Sequence, residues 1–186
     1  IYTLNVGIKI PINTPLGAID KAENIAIKII TNNGVIGWGE ASPCAMITGD
    51  TQESNYAIAP IMAKMILGKN ALAIESRMNE INGVSDGDYS DRSNFDMELY
   101  YFGCKSANMP LYQFLGGERR QLRTDITIGL KDTVEETITQ AQNMLDAGFD
   151  AIKLKVGRSG LQDVAHVKAL RELVGKNVAL KIDSNQ

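Results

Sequence analysis

Histidine and cysteine are scarce in this chain. A single histidine, His166, and two cysteines, Cys44 and Cys104, occur among 186 residues. Two cysteines make no disulfide framework and no metal-ligand spacing, so both read as free thiols in a reducing compartment. Cys44 follows Pro43 in a loop and reads as an unreactive thiol. His166 falls in a helical pattern with no serine or cysteine partner in view, which predicts a surface position rather than a catalytic base. Charge of either sign is also mild: the net charge is -3. With no basic stripe and no aromatic-basic interleaving, this argues against nucleic acid as a partner. No apolar run approaches the ~20 residues of a membrane span. The N-terminus lacks the basic start, apolar core and small-residue cleavage site of a secretory leader, so a cytoplasmic protein without a membrane partner is expected. No P-loop or dinucleotide fingerprint is present, and the glycines around 157–160 match a phosphate turn only loosely. Asp86 and Asp88 lack the full calcium-loop spacing and read as a solvated loop.

What the chain does have is two different grammars. Hydrophobic residues make up 44% and charged residues 22%, the balance of a globular protein with one large domain or two small ones. In "YTLNVGIKI" (2–10), Tyr2, Leu4, Val6, Ile8 and Ile10 alternate with polar residues or glycine, which predicts a half-buried strand. Ile25, Ile27 and Ile29 repeat the alternation. Asn33 and Gly34, both tolerant of positive φ, predict a tight turn. "VIGWGE" (35–40) then returns as the third strand of an antiparallel meander. Helical spacing follows in Ile58, Ile61, Met62 and Met65, and again in Phe95, Leu99 and Phe102. "PLYQFLGG" (110–117) ends this half on two glycines.

From Thr124 the order becomes strand, helix, strand, helix, strand. The strands are "TDITIGL" (124–130), "DAIKLKVG" (150–157) and "VALKID" (178–183). The first helix places Val134, Ile138, Ala141 and Leu145 on one face. It opens on a capping box at Asp132 and Glu135 and stops at Gly148. The second turns Val164, Val167, Leu170 and Val174 inward and stops at Gly175. This order predicts parallel pairing through right-handed crossovers, as in a (β/α) barrel or a doubly wound sheet. The repeat puts Thr127, Lys153 and Asp183 at equivalent places.

Alternation also sorts the faces of these strands. Ile126, Ile128 and Leu130, then Ile152, Leu154 and Val156, then Leu180 and Ile182, face the helices. Asp125, Thr127 and Gly129, then Lys153 and Lys155, then Lys181, Asp183 and Asn185, share the other face. They lie near the C-terminal ends of the strands, where parallel α/β folds bind ligands. Lysines one residue apart inside an apolar run are costly to bury. A solvated edge strand would tolerate them, but this strand lies between two others with polar groups on the same side. Crowded lysines disfavour each other's charged form, which is how a lysine becomes a base near neutral pH. Lys181, one pleat deeper than Asp183, reads as an internal ion-pair partner, and Asp125 reads likewise.

At these residues the sequence resembles the enolase superfamily, in its muconate-lactonising branch. The matching stretches are "KLK" (153–155), "KIDSNQ" (181–186), "GWGEASP" (37–43) and "PLYQFLGG". The resemblance implies an α+β capping domain over residues 1–120, a three-stranded antiparallel meander plus helices. It implies the first part of an α/β (β/α) barrel, a TIM barrel, over residues 121–186, with about three of its strands. The implied chemistry is Mg²⁺-dependent removal of a proton α to a carboxylate, giving an enediolate that the cation stabilises. On this resemblance Lys155 is the base, Lys153 contacts the substrate carboxylate, Asp183 is a Mg²⁺ ligand and Asn185 supports the substrate site. Within the branch, "TDIT" (124–127) resembles the dipeptide epimerases, isomerases acting on amino acid derivatives. In these a strand threonine contacts the dipeptide, here Thr127. "NTPLGAI" (13–19) matches a loop that chooses the side chain. It has Leu16-Gly17 where epimerases for acidic dipeptides carry a basic residue, so the implied dipeptide is not acidic at its second residue. "MITGDT" (46–51) is a second candidate specificity loop. A homo-oligomer is implied by analogy.

A complete (β/α) barrel needs about 200 residues, and the strand pattern here stops after three strands. The chain is therefore expected to be part of a longer enzyme, with the other metal carboxylates and an opposing lysine outside it, and to be inactive alone. Two other readings stay open. One is a cycloisomerase or an o-succinylbenzoate synthase-like lyase of the same branch. The other is a fragment without catalysis.

Overall fold

The computed structural model describes residues 1–14 and 17–184. Two compact units emerge: Ile1–Gly7 with Lys21–Arg120, and Ile8–Asp20 with the residues from Gln121 onward. The first sheet has the strand order β1 (Tyr2–Thr14), β2 (Gly17–Ile30), β3 (Ile36–Ala41). β2 and β3 pair antiparallel, with Ile27 opposite Gly39 and Ile29 opposite Gly37. Their turn uses one left-handed residue, not two. Gly34 has φ +80°, and its N–H donates to the Thr31 carbonyl at 2.9 Å. Asn33 contributes its side chain instead, Oδ1 accepting from the Thr31 hydroxyl at 2.5 Å. A single glycine closing a longer loop is enough to match the strand twist.

The helices of the first unit are α1 (Gln52–Ile66), α2 (Ile74–Asn82), α3 (Tyr89–Ser106) and the short α4 (Leu111–Phe114). Thr51 starts α1: its hydroxyl accepts from the Ser54 N–H, and the Ser54 hydroxyl accepts from the Thr51 N–H. Phe95, Leu99 and Phe102 of α3 are buried as their spacing predicts. Glycine brings α3 onto β3. A Cβ at Gly37 would lie 2.7 Å from the Glu98 carbonyl, and one at Gly39 would overlap Asn94.

Two expectations of burial fail in this unit. Tyr2 and Val6 of β1 are 52% and 48% exposed, and Leu4 is exposed too, as is Ile10 of the same strand in the second unit. Tyr2 packs beside Trp38, with 5.9 Å between ring centres. The polar row is exposed as well, and its contact with a helix is Asn5, whose Oδ1 accepts from Gln52 Nε2 of α1 at 2.8 Å. Alternation defines two faces of a strand but not which one the helices cover. On α1 the buried row is Asn55, Ala59 and Met62, while Ile61 and Met65 are exposed. The helix is turned by Asn55, whose Nδ2 donates to Ser90 Oγ of α3 at 2.7 Å.

In the second unit β4 (Ile126–Ile128), β5 (Ala151–Lys155) and β6 (Ala179–Asp183) form a parallel sheet in that order. They are joined by α5 (Val134–Asp146) and α6 (Gly160–Val174). Ile128, Ile152, Leu154 and Val156 are buried against Ala141 and Met144 of α5 and Leu170 and Val174 of α6. Each large apolar side chain buried this way contributes about 1.5–3 kcal/mol. α5 is capped one residue later than Asp132. Thr133 Oγ1 accepts from the Glu136 N–H, and Glu136 Oε2 accepts from the Thr133 N–H, both at 3.2 Å. Thr133 is extended (φ -123°), the backbone an N-cap needs.

Val164 is exposed rather than inward. Leu170 sets the buried arc of α6, and the residues four and three before it are His166 and Val167. His166 is therefore half-buried rather than freely exposed: its Nδ1 lies 2.8 Å from Oγ1 of buried Thr137 on α5. Ile182 is also exposed, because the buried cluster centres on β5 and, of β6, Leu180 packs against it. The register pairs Thr127 with Lys153, Lys153 with Lys181, and Lys155 with Asp183. Lys181, not Asp183, is thus level with Thr127 and Lys153. The spacing of a repeat does not reveal how many residues the α6–β6 connection takes up.

Candidate active site

The polar face of the second sheet gathers its charges at one point. Lys153 and Lys155 occupy the gaps between buried Ile152, Leu154 and Val156, so both project away from the helices. Both ammonium groups reach the same atom: each Nζ lies 2.7 Å from Asp183 Oδ2. Lys155 is the more enclosed, with 11% of its side chain exposed against 32% for Lys153. Lys155 is level with Asp183, and Lys153 reaches it from one pleat deeper.

The shared carboxylate changes the electrostatics expected of crowded lysines. The hydrogen bond to Asp183 holds Lys153 above the ordinary lysine pKa; partial desolvation opposes this, and the charges of Asp183 and Asp125 add to it. An opposite charge at contact outweighs a like charge nearby, so Lys153 is shifted up rather than down. Lys181 Nζ lies 2.7 Å from Asp125 Oδ2, so the two pair as their positions suggested, but the Lys181 side chain is 64% exposed and the pair is not internal. This pair spans β5, and the hydrogen bond from Lys181 holds the Asp125 carboxyl below its usual range.

Thr127, half-buried on β4, stands beside Lys153 in register. Asn185 and Leu16 lie outside the described residues. The loop 46–51 belongs to the first unit, where Thr51 caps α1. Cys44 and Cys104 are free thiols. Asp183 is a hard oxygen donor of the kind Mg²⁺ prefers. Among the described residues, however, no group of three His, Cys, Asp or Glu side chains could hold a metal ion. The donor fits such an ion in kind but not in number.

Some contacts around this face escaped the sequence reading. The loop after β5 is held by Asp163, whose Oδ2 accepts from the Gly157 N–H at 3.1 Å. The Val156 N–H donates to the Asp183 carbonyl at 3.0 Å. Arg158 pairs with Asp132, tying the loops that follow β5 and β4. An aspartate in the first turn of α6, six residues after a glycine, was the available signal for the first contact. Beyond β4, the Leu130 N–H donates to the Asn13 carbonyl at 3.0 Å. The signal for that contact was Gly129, since glycine in a strand pattern marks close backbone approach.

A cavity of about 700 Å³ lies in the first unit, lined by Ile27, Phe95, Leu99 and Phe102 among others. Of its three cations, Lys69 and Arg77 pair with Glu80, at 3.0 and 2.9 Å, and Lys28 Nζ lies 5.4 Å from the Trp38 ring centre. Volume alone does not make it the reactive site: the convergent, unequal lysines are on the barrel sheet.

No helix among the described residues is long and apolar enough to cross a membrane. Residues 1–116 match the N-terminal domain of the mandelate racemase / muconate lactonizing enzyme family, and residues 136–186 match an enolase C-terminal domain-like family. The L-Ala-D/L-Glu epimerase of Bacillus subtilis is 35% identical over 178 residues, 95% of this chain and 48% of that protein. A dipeptide epimerase from Cytophaga hutchinsonii, solved with Mg and D-Ala-L-Val, has TM-score 0.95 at 32% identity, covering 100% of this chain and 50% of that one. A dipeptide epimerase from Enterococcus faecalis V583, solved with Mg and L-Leu-L-Tyr, also gives 0.95 at 32% identity, covering 100% and 52%. The chain spans about half the length of the curated relatives it matches. A single family match across residues 1–116, continued by a barrel-type match, is decisive: the chain belongs to the mandelate racemase / muconate lactonizing enzyme family of the enolase superfamily.

Proposed function

We propose that the full-length protein is an isomerase, a dipeptide epimerase that exchanges the α-proton of the second residue. The observation that carries this reading is the meeting of two lysines on one carboxylate oxygen beside Thr127. A carboxylate thus fits between the two ammonium groups, and a dipeptide brings one. In this reading Lys155 is the base that takes the α-proton, and the C–H electron pair moves into the adjacent carboxylate. Lys153, one pleat deeper, donates to that carboxylate and holds the growing charge. The Thr127 hydroxyl bonds the dipeptide, and Asn185 supports it. Return of a proton on the opposite face completes the epimerisation, from a residue beyond these 186. The cofactor in this reading is Mg²⁺, with Asp183 as one of its ligands; when bound it supplies positive charge to the substrate carboxylate.

The substrate is a dipeptide whose second residue is not acidic, because "NTPLGAI" carries no cation to pair with one. The test is incubation of the full-length protein with L,L-dipeptides in D₂O with Mg²⁺, read by mass spectrometry. Deuterium should enter the α carbon of the second residue. A broad dipeptide panel that takes up none removes the reading.

A further inference from the structure

The end of the β1–β2 hairpin belongs to the barrel unit: Ile8–Asp20 group with the residues from Gln121 onward. Its contact with β4 is made by backbone. The Leu130 N–H donates to the Asn13 carbonyl, and Asn13 lies directly over Gly129. A Cβ built on Gly129 would stand 3.0 Å from Asn13 N, 3.2 Å from its O and 3.7 Å from its Cα. These are backbone atoms, so no side chain can swing aside to make room. Gly129 has the face parity of Thr127, two residues earlier, and that is the face of Lys153, Lys155 and Asp183. The space a side chain at 129 would fill is therefore on the polar face, and Asn13 fills it. Asn13 thus covers the polar face of β4's end, two residues beyond Thr127.

From this we infer that Gly129 is a specificity-determining residue that acts by position: lacking a side chain, it lets the hairpin arm seat on β4 as a fixed wall beside the bound dipeptide. The inference rests on the dipeptide epimerase reading. A wall whose distance from Thr127 is set by backbone contact limits the width available to a substrate side chain. A methyl group at position 129 pushes Asn13 outward by a few tenths of an ångström, and the limit moves with it. Differences of one methylene in a pocket change relative kcat/KM by about tenfold or more.

The experiment compares the full-length wild type with Gly129→Ala on dipeptides whose second residue runs from alanine through valine and leucine to tyrosine. Far-UV circular dichroism checks that the variant folds. Asn13→Gly, at an exposed position, loosens the same arm without adding bulk and serves if Gly129→Ala does not fold. The expected result is a shift of about tenfold in the ratio of kcat/KM between the largest and smallest substrates. Faster hydrogen exchange of the Leu130 amide should accompany it. A merely structural glycine would slow all substrates alike. Uniform slowing, or an unchanged ratio in folded variants of an active wild type, overturns the inference and leaves the epimerase reading standing. A wild type inactive on every dipeptide overturns both.

Discussion

Replacing Glu98 by glutamine should stabilise the first unit, and the gain should grow with pH. Glu98 is fully buried on α3, in the same helix as buried Asp91 and Asn94. Burial pushes its pKa from 4.5 up to about 8, with the Ile29 backbone N–H opposing part of the shift. A carboxyl whose pKa is higher in the folded than in the unfolded state binds more protons when folded. Its contribution is therefore fully present below pH 4.5 and is lost as pH rises through about 8. At about 1.4 kcal/mol per pH unit, the loss is about 3 kcal/mol by pH 7 and about 4–5 kcal/mol by pH 8. Glutamine has the same shape and no charge to hold off. Both it and the protonated acid bury a neutral polar group, so that cost cancels. Glu98→Gln should therefore gain about 3 kcal/mol at pH 7 and under about 1 kcal/mol at pH 5. Asp91, raised to about 7 by burial and then by the charges of Asp88 and Asp50, acts with the same sign, so the variant keeps a slope only below about pH 7. The assay is urea unfolding from pH 5 to 9, followed by fluorescence of the sole tryptophan, Trp38, on β3 of this unit. Wild-type stability that is flat or rising from pH 5 to 8, or a variant that keeps the full wild-type slope, refutes the reasoning.

In the full-length protein, Lys155→Ala should lower α-proton exchange from one enantiomer by ~10²–10⁴-fold, measured as deuterium uptake; near wild-type exchange there would reduce the lysine pair to ornament. Lys153→Ala should weaken both substrate binding and rate, since it removes the charge that meets the carboxylate, and steady-state kinetics would show both KM and kcat changed. Gly39→Ala should cost at least 1–3 kcal/mol, the usual range for overpacking, because the added methyl overlaps Asn94; the urea midpoint reports it. Thr137→Val should cost about 1–3 kcal/mol by leaving half-buried His166 without its hydroxyl partner, and thermal melting of the folded protein measures it.

Local pattern was enough to separate Ile152, Leu154 and Val156 from Lys153 and Lys155, because face parity in a strand is a property of neighbouring residues alone. The same holds for the buried row Phe95, Leu99 and Phe102 and for the parallel order of β4, β5 and β6. The capping box of α5 was legible to within one residue, since threonine and aspartate at 133 and 132 compete as caps and only the extended backbone at Thr133 decides. The Lys181–Asp125 pair could be anticipated from two opposite charges on one polar face, but not its exposure to solvent.

Other features required the folded chain. Which side of β1 meets the helices depends on Gln52 reaching Asn5, and the side His166 presents depends on Thr137 in another helix. The convergence of Lys153 and Lys155 on Asp183 Oδ2 depends on the β5–β6 register, and the seat of Asn13 on Gly129 on a hairpin folding back to β4. Amphipathic periods encode only what neighbours in sequence do; register and long-range contact are set by how separate elements pack, and it is there that the candidate site is made.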